Sequence, residues 1–305
     1  MVPKVYVVTG AGNGIGKEVV KSLLEDGLSV IAIDIDSFGL EQINIFQRKL
    51  KNSSSLLTYC CDLSIQIERE NLWEKLAQSN LVIDVLINNA GGINPKFKST
   101  SDGYEQTFSI NYLGCAHLCL LFLSSKATLG FRQIINITSN NYKQGKLNLD
   151  SVKQKEGVGL FMRFSRWIES SFKQKVLFLF MGYYSMTSYS QSKLAQVIFT
   201  KLLSKKSMEK RVCVNCIHPG IVRSNIVKSS FKGFSRYFWD FLSYLIGINP
   251  EESAEYIRKT IHRIGEEELN GIYFNYENGE EDLNTMAFEK EQELWEWTLQ
   301  NLELK

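Results

Sequence analysis

The sequence predicts an α/β fold built on one doubly wound parallel sheet, a Rossmann fold with helices on both faces, and three observations predict it. Short apolar runs alternate with segments of helical periodicity along the whole chain. The first apolar run ends in a glycine-rich turn, Thr9-Gly10-Ala11-Gly12-Asn13-Gly14-Ile15-Gly16, that opens onto a helix. Asp34, Asp62, Asn88-Asn89-Ala90-Gly91, Ser139 and Pro219-Gly220 all stand at or just past the carboxyl ends of apolar runs, where open α/β sheets bind ligands.

Lys4 to Val8 reads as the first strand; after the turn, Val19, Val20, Leu23 and Leu24 recur at helical spacing until Asp26-Gly27. Ser29 to Asp34 is a second strand whose unbroken apolarity predicts burial on both faces, which completes a βαβ unit. A helix carrying Leu40, Ile43, Phe46 and Leu50 follows, then a third strand over Leu56 to Cys60, a helix through Leu72 and Leu76, and a fourth strand over Val82 to Ile87. A long apolar helix is expected from about Thr107 to Lys126, with Asn111 near its start. Gln133 to Ser139 is the fifth strand, a helix around Tyr189 runs to about Lys205, and Arg211 to Ile217 is the sixth strand. Asn249-Pro250-Glu251-Glu252 marks a helix start, with Asn249 as cap and Pro250 in the first turn. Gly271 to Phe274 is a seventh strand, and a helix through Leu294, Trp295 and Leu299 closes the chain. With no linker and no internal repeat, residues 1–305 read as a single domain of about seven strands.

Composition narrows the function classes. A 305-residue chain that is 44% hydrophobic and 22% charged can bury a real core, and a formal net charge of +2 gives no field that would favour nucleic acid. The six cysteines include no pair of C-x-x-C units, and most lie inside apolar runs, which fits a reducing, intracellular setting. Cys213-Val214-Asn215-Cys216 has a redox or zinc spacing but sits within a strand without a second pair, so it reads as core. His117, His218 and His262 show no metal spacing, and no metal is expected. No apolar run reaches transmembrane length and strand-like residues begin by Val5, so the expectation is a cytoplasmic protein.

The glycine turn carries the first chemistry. Gly10 and Gly14 let the backbone approach a pyrophosphate, which then meets the amino end of the following helix. Asp34 ends the second strand about 20 residues on, where a carboxylate accepts hydrogen bonds from ribose hydroxyls and repels a 2′-phosphate. NAD is therefore expected over NADP, with NADP as the alternative. Tyr189-Ser190-Gln191-Ser192-Lys193 carries the second chemistry. Four apart on a helix, Tyr189 and Lys193 share a face, and a nearby ammonium biases a phenol toward ionisation, which equips it for proton transfer.

Together these residues resemble the short-chain dehydrogenase/reductase family across essentially the whole chain. Thr9 to Gly16 resembles its cofactor turn, Asn88-Asn89-Ala90-Gly91 its sheet-stabilising motif and Tyr189 through Lys193 its Y-x-x-x-K, while Asn111, Ser139, Tyr189 and Lys193 fill its catalytic tetrad. Ser190-Gln191-Ser192-Lys193-Leu194-Ala195, His218 through Ser224, Pro250-Glu251-Glu252, Gly271 through Phe274 and Leu294-Trp295 resemble the retinol dehydrogenase and WW-domain oxidoreductase branch.

The resemblance implies an oxidoreductase acting on an alcohol or carbonyl. Tyr189 would exchange a proton with the substrate oxygen, and Lys193 would lower the Tyr189 pKa and hold the nicotinamide ribose. Ser139 would share the oxygen's developing charge, and Asn111 would order a water linking Lys193 to solvent. The implied cofactor set is Thr9, Gly10, Asn13, Gly14, Ile15, Gly16, Asp34, Asp62, Leu63, Asn89, Ala90, Gly91, Tyr189, Lys193, Pro219, Gly220, Ile221, Val222 and Ser224. The other reading is an idle Rossmann protein that senses NAD(H) or scaffolds partners without turnover; the complete tetrad argues against it.

Two departures stand out. Many members of this branch carry an arginine just after the second strand for NADP, whereas Ile35 stands here after Asp34. Ser139 and Tyr189 are also further apart than is common, so 140–186 holds an insertion. Within it Leu160, Phe164, Trp167, Ile168 and Phe172 recur at helical spacing among Arg163, Arg166, Lys173 and Lys175. This reads first as an amphipathic helix beside the active-site mouth, and second as a segment lying in a bilayer interface. Phe234, Phe238, Phe241, Leu242 and Leu245 form a similar stripe in the segment 225–248, which corresponds to the family's substrate lid. Two greasy segments at one mouth suggest a lipophilic substrate such as a retinoid, steroid or other lipid alcohol, with peripheral contact to an intracellular membrane through 158–181 or 231–248. The resemblance also suggests a homo-oligomer built on the helices after Asn111 and Tyr189.

Overall fold

The computed structural model describes residues 4–79, 81–94, 97–125, 132–153, 183–222 and 247–302. The chain opens with β1 (Val5–Thr9), α1 (Gly14–Glu25), β2 (Ser29–Asp34), α2 (Ser37–Gln47), β3 (Ser55–Cys60), α3 (Gln66–Gln78) and β4 (Ile83–Asn88). Next come α4 (Gln106–Phe108), a π-helical turn (Ser109–Leu113), α5 (Gly114–Ser124), β5 (Arg132–Ile137) and two 3-10 turns (Asn140–Gln144 and Leu149–Ser151). The described chain ends with α6 (Tyr183–Ser207), β6 (Val212–His218), α7 (Pro250–Glu267), β7 (Ile272–Asn275), β8 (Gly279–Asp282) and α8 (Glu291–Asn301).

These strands form one sheet in the order β3-β2-β1-β4-β5-β6-β7-β8, parallel throughout except for β7 against β8. The order reverses between β1 and β4, and that crevice is where a doubly wound sheet takes its ligand. The eighth strand corrects the expectation of about seven. Gly279-Glu280-Glu281-Asp282 has no apolar run to announce it; it folds back because Asn275 Oδ1 accepts from the amides of Glu277 (3.0 Å) and Asn278 (3.3 Å), and Gly279 takes φ 82°. Its acidic side chains face solvent, as suits an edge strand that must not recruit another.

Each sheet face carries its own core. Val7, Leu86 and Ile134 pack toward Leu118, Phe122, Phe199 and Leu294 on one side, while Val8, Ile87 and Ile135 pack toward Val19, Leu23, Ile257 and Ile261 on the other. Burial on both faces is why the central strands read as unbroken apolar runs. The apolar helix ends at Ser124 rather than near Lys126. The helical run Gln106–Ser124 is also long and apolar enough, by length and composition, to cross a membrane, which corrects the reading that no run is. In the fold 72% of that stretch is buried, so it serves as a core helix. Asn249 stands at the cap position of α7 with Pro250 in the first turn, but its side chain makes no capping bond; Glu251 and Glu252 favour that end through the helix dipole instead.

Beneath the β3–α3 turn, the fully buried Arg69 donates from Nε to His117 Nδ1 (3.0 Å) and from a terminal nitrogen to the Leu63 carbonyl (2.8 Å). Burial, and then the Arg69 charge, lower the His117 pKa from its ordinary 6.5 to about 4. The unfolded chain therefore takes up this proton first, and folding stability falls as pH drops from 6.5 toward 4. The loss is on the order of 3 kcal/mol at most. In urea unfolding between pH 7 and 4.5, His117→Gln, which can accept from Arg69 but cannot titrate, should show a shallower loss than the wild type.

Candidate active site

At the β1–β4 crevice the glycine turn and the Asn88-Asn89-Ala90-Gly91 loop lock together. Thr9 Oγ1 accepts from the amides of Asn89 and Ala90 (both 3.0 Å), and Asn89 Nδ2 donates to the carbonyls of Thr9 (3.0 Å) and Gly10 (3.1 Å). Asn13 caps α1 through Oδ1 on the Gly14 amide (2.7 Å), and Gly14, Ile15 and Gly16 form the first turn of the helix. Gly14 has φ 52°, and a Cβ added there would meet nothing within 4 Å, so the amino end of α1 faces open space. Asp34 ends β2 beside this turn. Its Oδ2 accepts from the Gly12 amide (2.7 Å) and its Oδ1 from the Asp36 amide (2.8 Å). An open helix amino terminus for a pyrophosphate, with a carboxylate at the ribose end, fits a dinucleotide.

The Asp62-Leu63 turn flanks the same edge and is held from behind. Asp62 Oδ1 accepts from the Ser64 amide (2.9 Å), Glu68 accepts from the Asp62 amide (2.7 Å), Arg69 holds the Leu63 carbonyl, and Ser109 Oγ donates to the Ser64 carbonyl (2.7 Å).

Asn111, Ser139, Tyr189 and Lys193 come together from three places in the chain: the π-helical turn, the end of β5 and α6. Asn111 lies inside the π-helical turn, an irregularity frequent at functional sites. Its amide clamps Gly92 from both sides, accepting from the Gly92 amide (2.8 Å) and donating to the Gly92 carbonyl (3.0 Å), and it also donates to Ser192 Oγ (2.9 Å). A Cβ on Gly91 would come within 2.9 Å of Asn111 Oδ1 and 3.8 Å of Lys193 Nζ, so this close approach requires glycine. Ser139 follows β5, caps the next turn through the Asn141 amide (3.3 Å) and lies close enough to the Tyr189 phenol to favour its ionisation.

Burial raises the Tyr189 pKa, and the neighbouring Ser139 hydroxyl pulls it the other way. Lys193 is 5% exposed, its ammonium lies 5.9 Å from the centre of the Tyr189 ring, and burial lowers its pKa to about 8. Helical spacing alone thus brings the pair onto one face, as the sequence predicts.

Beyond β6, Ser253 Oγ donates to the Pro219 carbonyl (2.9 Å) and Gly220 takes φ 86°. Ile221 is exposed, and Val222 pairs with Ile248, the Ile248 amide donating to the Ile221 carbonyl (2.8 Å). Ser224, residues 154–182 of the insertion and residues 223–246 lie outside the described residues.

Sequence reasoning missed Glu105. This buried carboxylate caps α4 through the amides of Thr107 (2.9 Å) and Phe108 (2.8 Å) and accepts from the Ser188 hydroxyl, next to Tyr189. Its place just before the Thr107 helix was a readable capping signal; its reach to α6 was not. A surface cleft of about 350 Å³ lined by Tyr104, Lys153, Trp297, Gln300 and Asn301 involves none of the predicted site residues. Among the described residues no group of three or more His, Cys, Asp or Glu side chains could hold a metal ion.

Comparison with known proteins adds a family. The family model described as short chain dehydrogenase matches residues 4–150 and 178–233. Retinol dehydrogenase 14 of Homo sapiens is 25% identical over 311 aligned positions, covering 96% of this chain and 84% of the relative. Retinol dehydrogenase 12 of Homo sapiens is 28% identical over 272 positions, covering 89% and 77%. Among solved structures, a variant actinorhodin polyketide ketoreductase with NADPH superimposes with a TM-score of 0.64 at 22% identity, covering 90% of this chain and 95% of that one. A 4-hydroxyisoleucine dehydrogenase complexed with NADH gives 0.60 at 21%, covering 89% and 96%.

Proposed function

Because the chain belongs to the short-chain dehydrogenase family, whose members are NAD(P)-dependent oxidoreductases, we propose that it interconverts a lipophilic alcohol and its carbonyl compound, with Tyr189 as acid/base. The observation that carries this reading is the Tyr189 phenol beside Ser139, on the helix face it shares with buried Lys193, whose ammonium lies 5.9 Å from the ring centre. Gly10 to Gly16, Asp34, Asp62-Leu63, Asn89 to Gly91 and Pro219 to Val222 would hold NAD(P), which would supply the hydride acceptor or donor.

The chain's own residues do the rest. Ser139 holds the substrate oxygen and shares its developing negative charge, a donor already in place before the reaction begins. Tyr189 gives that oxygen a proton during reduction and removes one during alcohol oxidation. Lys193 favours the phenolate by its charge, and Asn111 fixes the loop after β4 against α6. Its amide is engaged with Gly92 and Ser192, so a link from Lys193 to solvent would have to use the remaining lone pair of Oδ1 or the main chain of the π-helical turn.

A retinoid, steroid or other lipid alcohol is the proposed substrate class. The relatives named retinol dehydrogenases and the apolar stripes in 158–181 and 231–248 support it. Screening retinol, steroid and aliphatic alcohols with NAD and NADP tests the reading, and cofactor binding without turnover of any of them would favour the NAD(H)-sensing alternative. Peripheral membrane contact belongs to the same proposal: liposome flotation should weaken when 158–181 is deleted, and unchanged association would sink it.

We propose NAD as the preferred cofactor because the Asp34 carboxylate stands where a 2′-phosphate would approach. In isothermal titration the wild type should bind NAD more tightly than NADP. Asp34→Asn, which keeps the shape and one acceptor oxygen, should narrow the ratio by ~10- to 100-fold, the size of a relieved like-charge contact. Tighter NADP binding by the wild type would overturn the assignment.

A further inference from the structure

The Lys193 ammonium is buried without a carboxylate partner among the described residues. It donates to the Ile137 carbonyl at the end of β5 (2.9 Å) and to Gln196 Oε1 one turn along α6 (3.1 Å). Gln196 is itself buried, and Lys193 fixes which way its amide points. A flipped amide would set N–H donors against an ammonium that has only donors.

With Oε1 toward Lys193, Gln196 Nε2 faces α5 and donates to Cys115 Sγ (3.4 Å). The Cys115 thiol donates to Asn136 Oδ1 on β5 (3.2 Å), which also accepts from Asn88 Nδ2 on β4 (2.9 Å). Asn136 Nδ2 donates to Thr200 Oγ1 (2.8 Å), and the Thr200 hydroxyl donates to the Gln196 carbonyl (2.8 Å). The circuit closes on Gln196, with its side chain held by Cys115 and its backbone by Thr200.

We infer that Gln196, anchored by Cys115, is a positioning residue that keeps the Lys193 ammonium charged and aimed along the face it shares with Tyr189. The inference rests on the proposed chemistry of Tyr189 and Lys193. The titratable groups facing Lys193 are Tyr189 on its own helix, Cys115 from α5, and Cys216 and His218 from β6. Burial lifts the Cys216 thiol to about 12 and lowers His218 to about 4, whereas, against burial, hydrogen bonds with Cys119 and Gln196 and the Lys193 charge hold the Cys115 thiol below its ordinary value, so Cys115 supports the ammonium both directly and through Gln196. Of the two oxygens that accept from the ammonium, the Gln196 oxygen is the one a side-chain substitution removes.

The test is an NMR titration of Nζ in protein labelled with ¹⁵N-lysine, the Lys193 signal being assigned by its loss in Lys193→Met. Gln196→Leu should lower the Lys193 pKa by about one unit or more, the equivalent of losing one hydrogen bond to a charged group. Cys115→Ala leaves Gln196 in place but unanchored, and should lower it by a few tenths of a unit, about a twofold change in the ionisation constant. Gln196→Glu should raise it. The alkaline limb of retinal reduction by NADH should move in the same direction in each variant. Should Gln196→Leu fail to fold, Cys115→Ala and Gln196→Glu decide. A Lys193 titration unmoved in the folded variants overturns the inference. A moved titration with an unmoved pH–rate profile upholds the hold on Lys193 and refutes the Tyr189–Lys193 chemistry instead.

Discussion

Tyr189→Phe should lower turnover by ~10²- to 10⁴-fold, the usual worth of a positioned acid or base, while cofactor affinity changes little. The ring remains to fill its space beside Lys193; only the hydroxyl that meets Ser139 is lost. Because burial raises the phenol's pKa, the protonated form prevails at neutral pH before cofactor and substrate arrive. Carbonyl reduction should therefore hold its rate at neutral pH and fall as pH rises, and alcohol oxidation should gain rate over the same interval. Steady-state kinetics in both directions check this, with NADH binding followed by fluorescence. Turnover by Tyr189→Phe within tenfold of the wild type would refute the acid/base assignment, and loss of NADH binding would show that the residue holds the cofactor instead.

What could be read in the sequence was what local rules constrain. The β1–turn–α1–β2 unit, the Asp34 carboxylate and the Tyr189–Lys193 pair each lie within one to three consecutive elements, so strand burial and helical spacing reveal them. Ser139 and Asn111 required the family pattern, because nothing local says that a serine after β5 will meet a tyrosine fifty residues later. The unread part lies in contacts between side chains far apart in the chain. Glu105 reaching Ser188, Arg69 paired with His117, and Gln196 seated on Cys115 each join elements that become neighbours only once the sheet is assembled. β8 escaped for the opposite reason: an acidic edge strand has no buried face, and hence no apolar signature.

Gly16→Ala should damage the protein although it places a better helix former in a helix. Alanine is ordinarily favoured over glycine inside a helix by ~1 kcal/mol. Here a Cβ would fall 2.1 Å from the Gly10 carbonyl oxygen and 2.4 Å from Asn89 Nδ2. Gly10 cannot yield, because it sits at φ 66° with its own Cβ position 2.8 Å from Ala90 Cα. Backbone therefore packs on backbone across the β1–β4 crevice, and the added methyl must push the helix off the turn that would cradle the pyrophosphate. Overpacking of this kind costs about 1–3 kcal/mol or more, enough to reverse the propensity gain. Urea unfolding should show Gly16→Ala less stable than the wild type, and NADH titration should show affinity reduced by ~10-fold or more for a cost of that size. Gly14→Ala supplies the contrast: its Cβ meets nothing within 4 Å, so its cost is confined to the left-handed backbone at φ 52°, about 1–2 kcal/mol. If Gly16→Ala proved as stable as the wild type and bound NADH as well, the crevice would not be packed as tightly as its geometry requires.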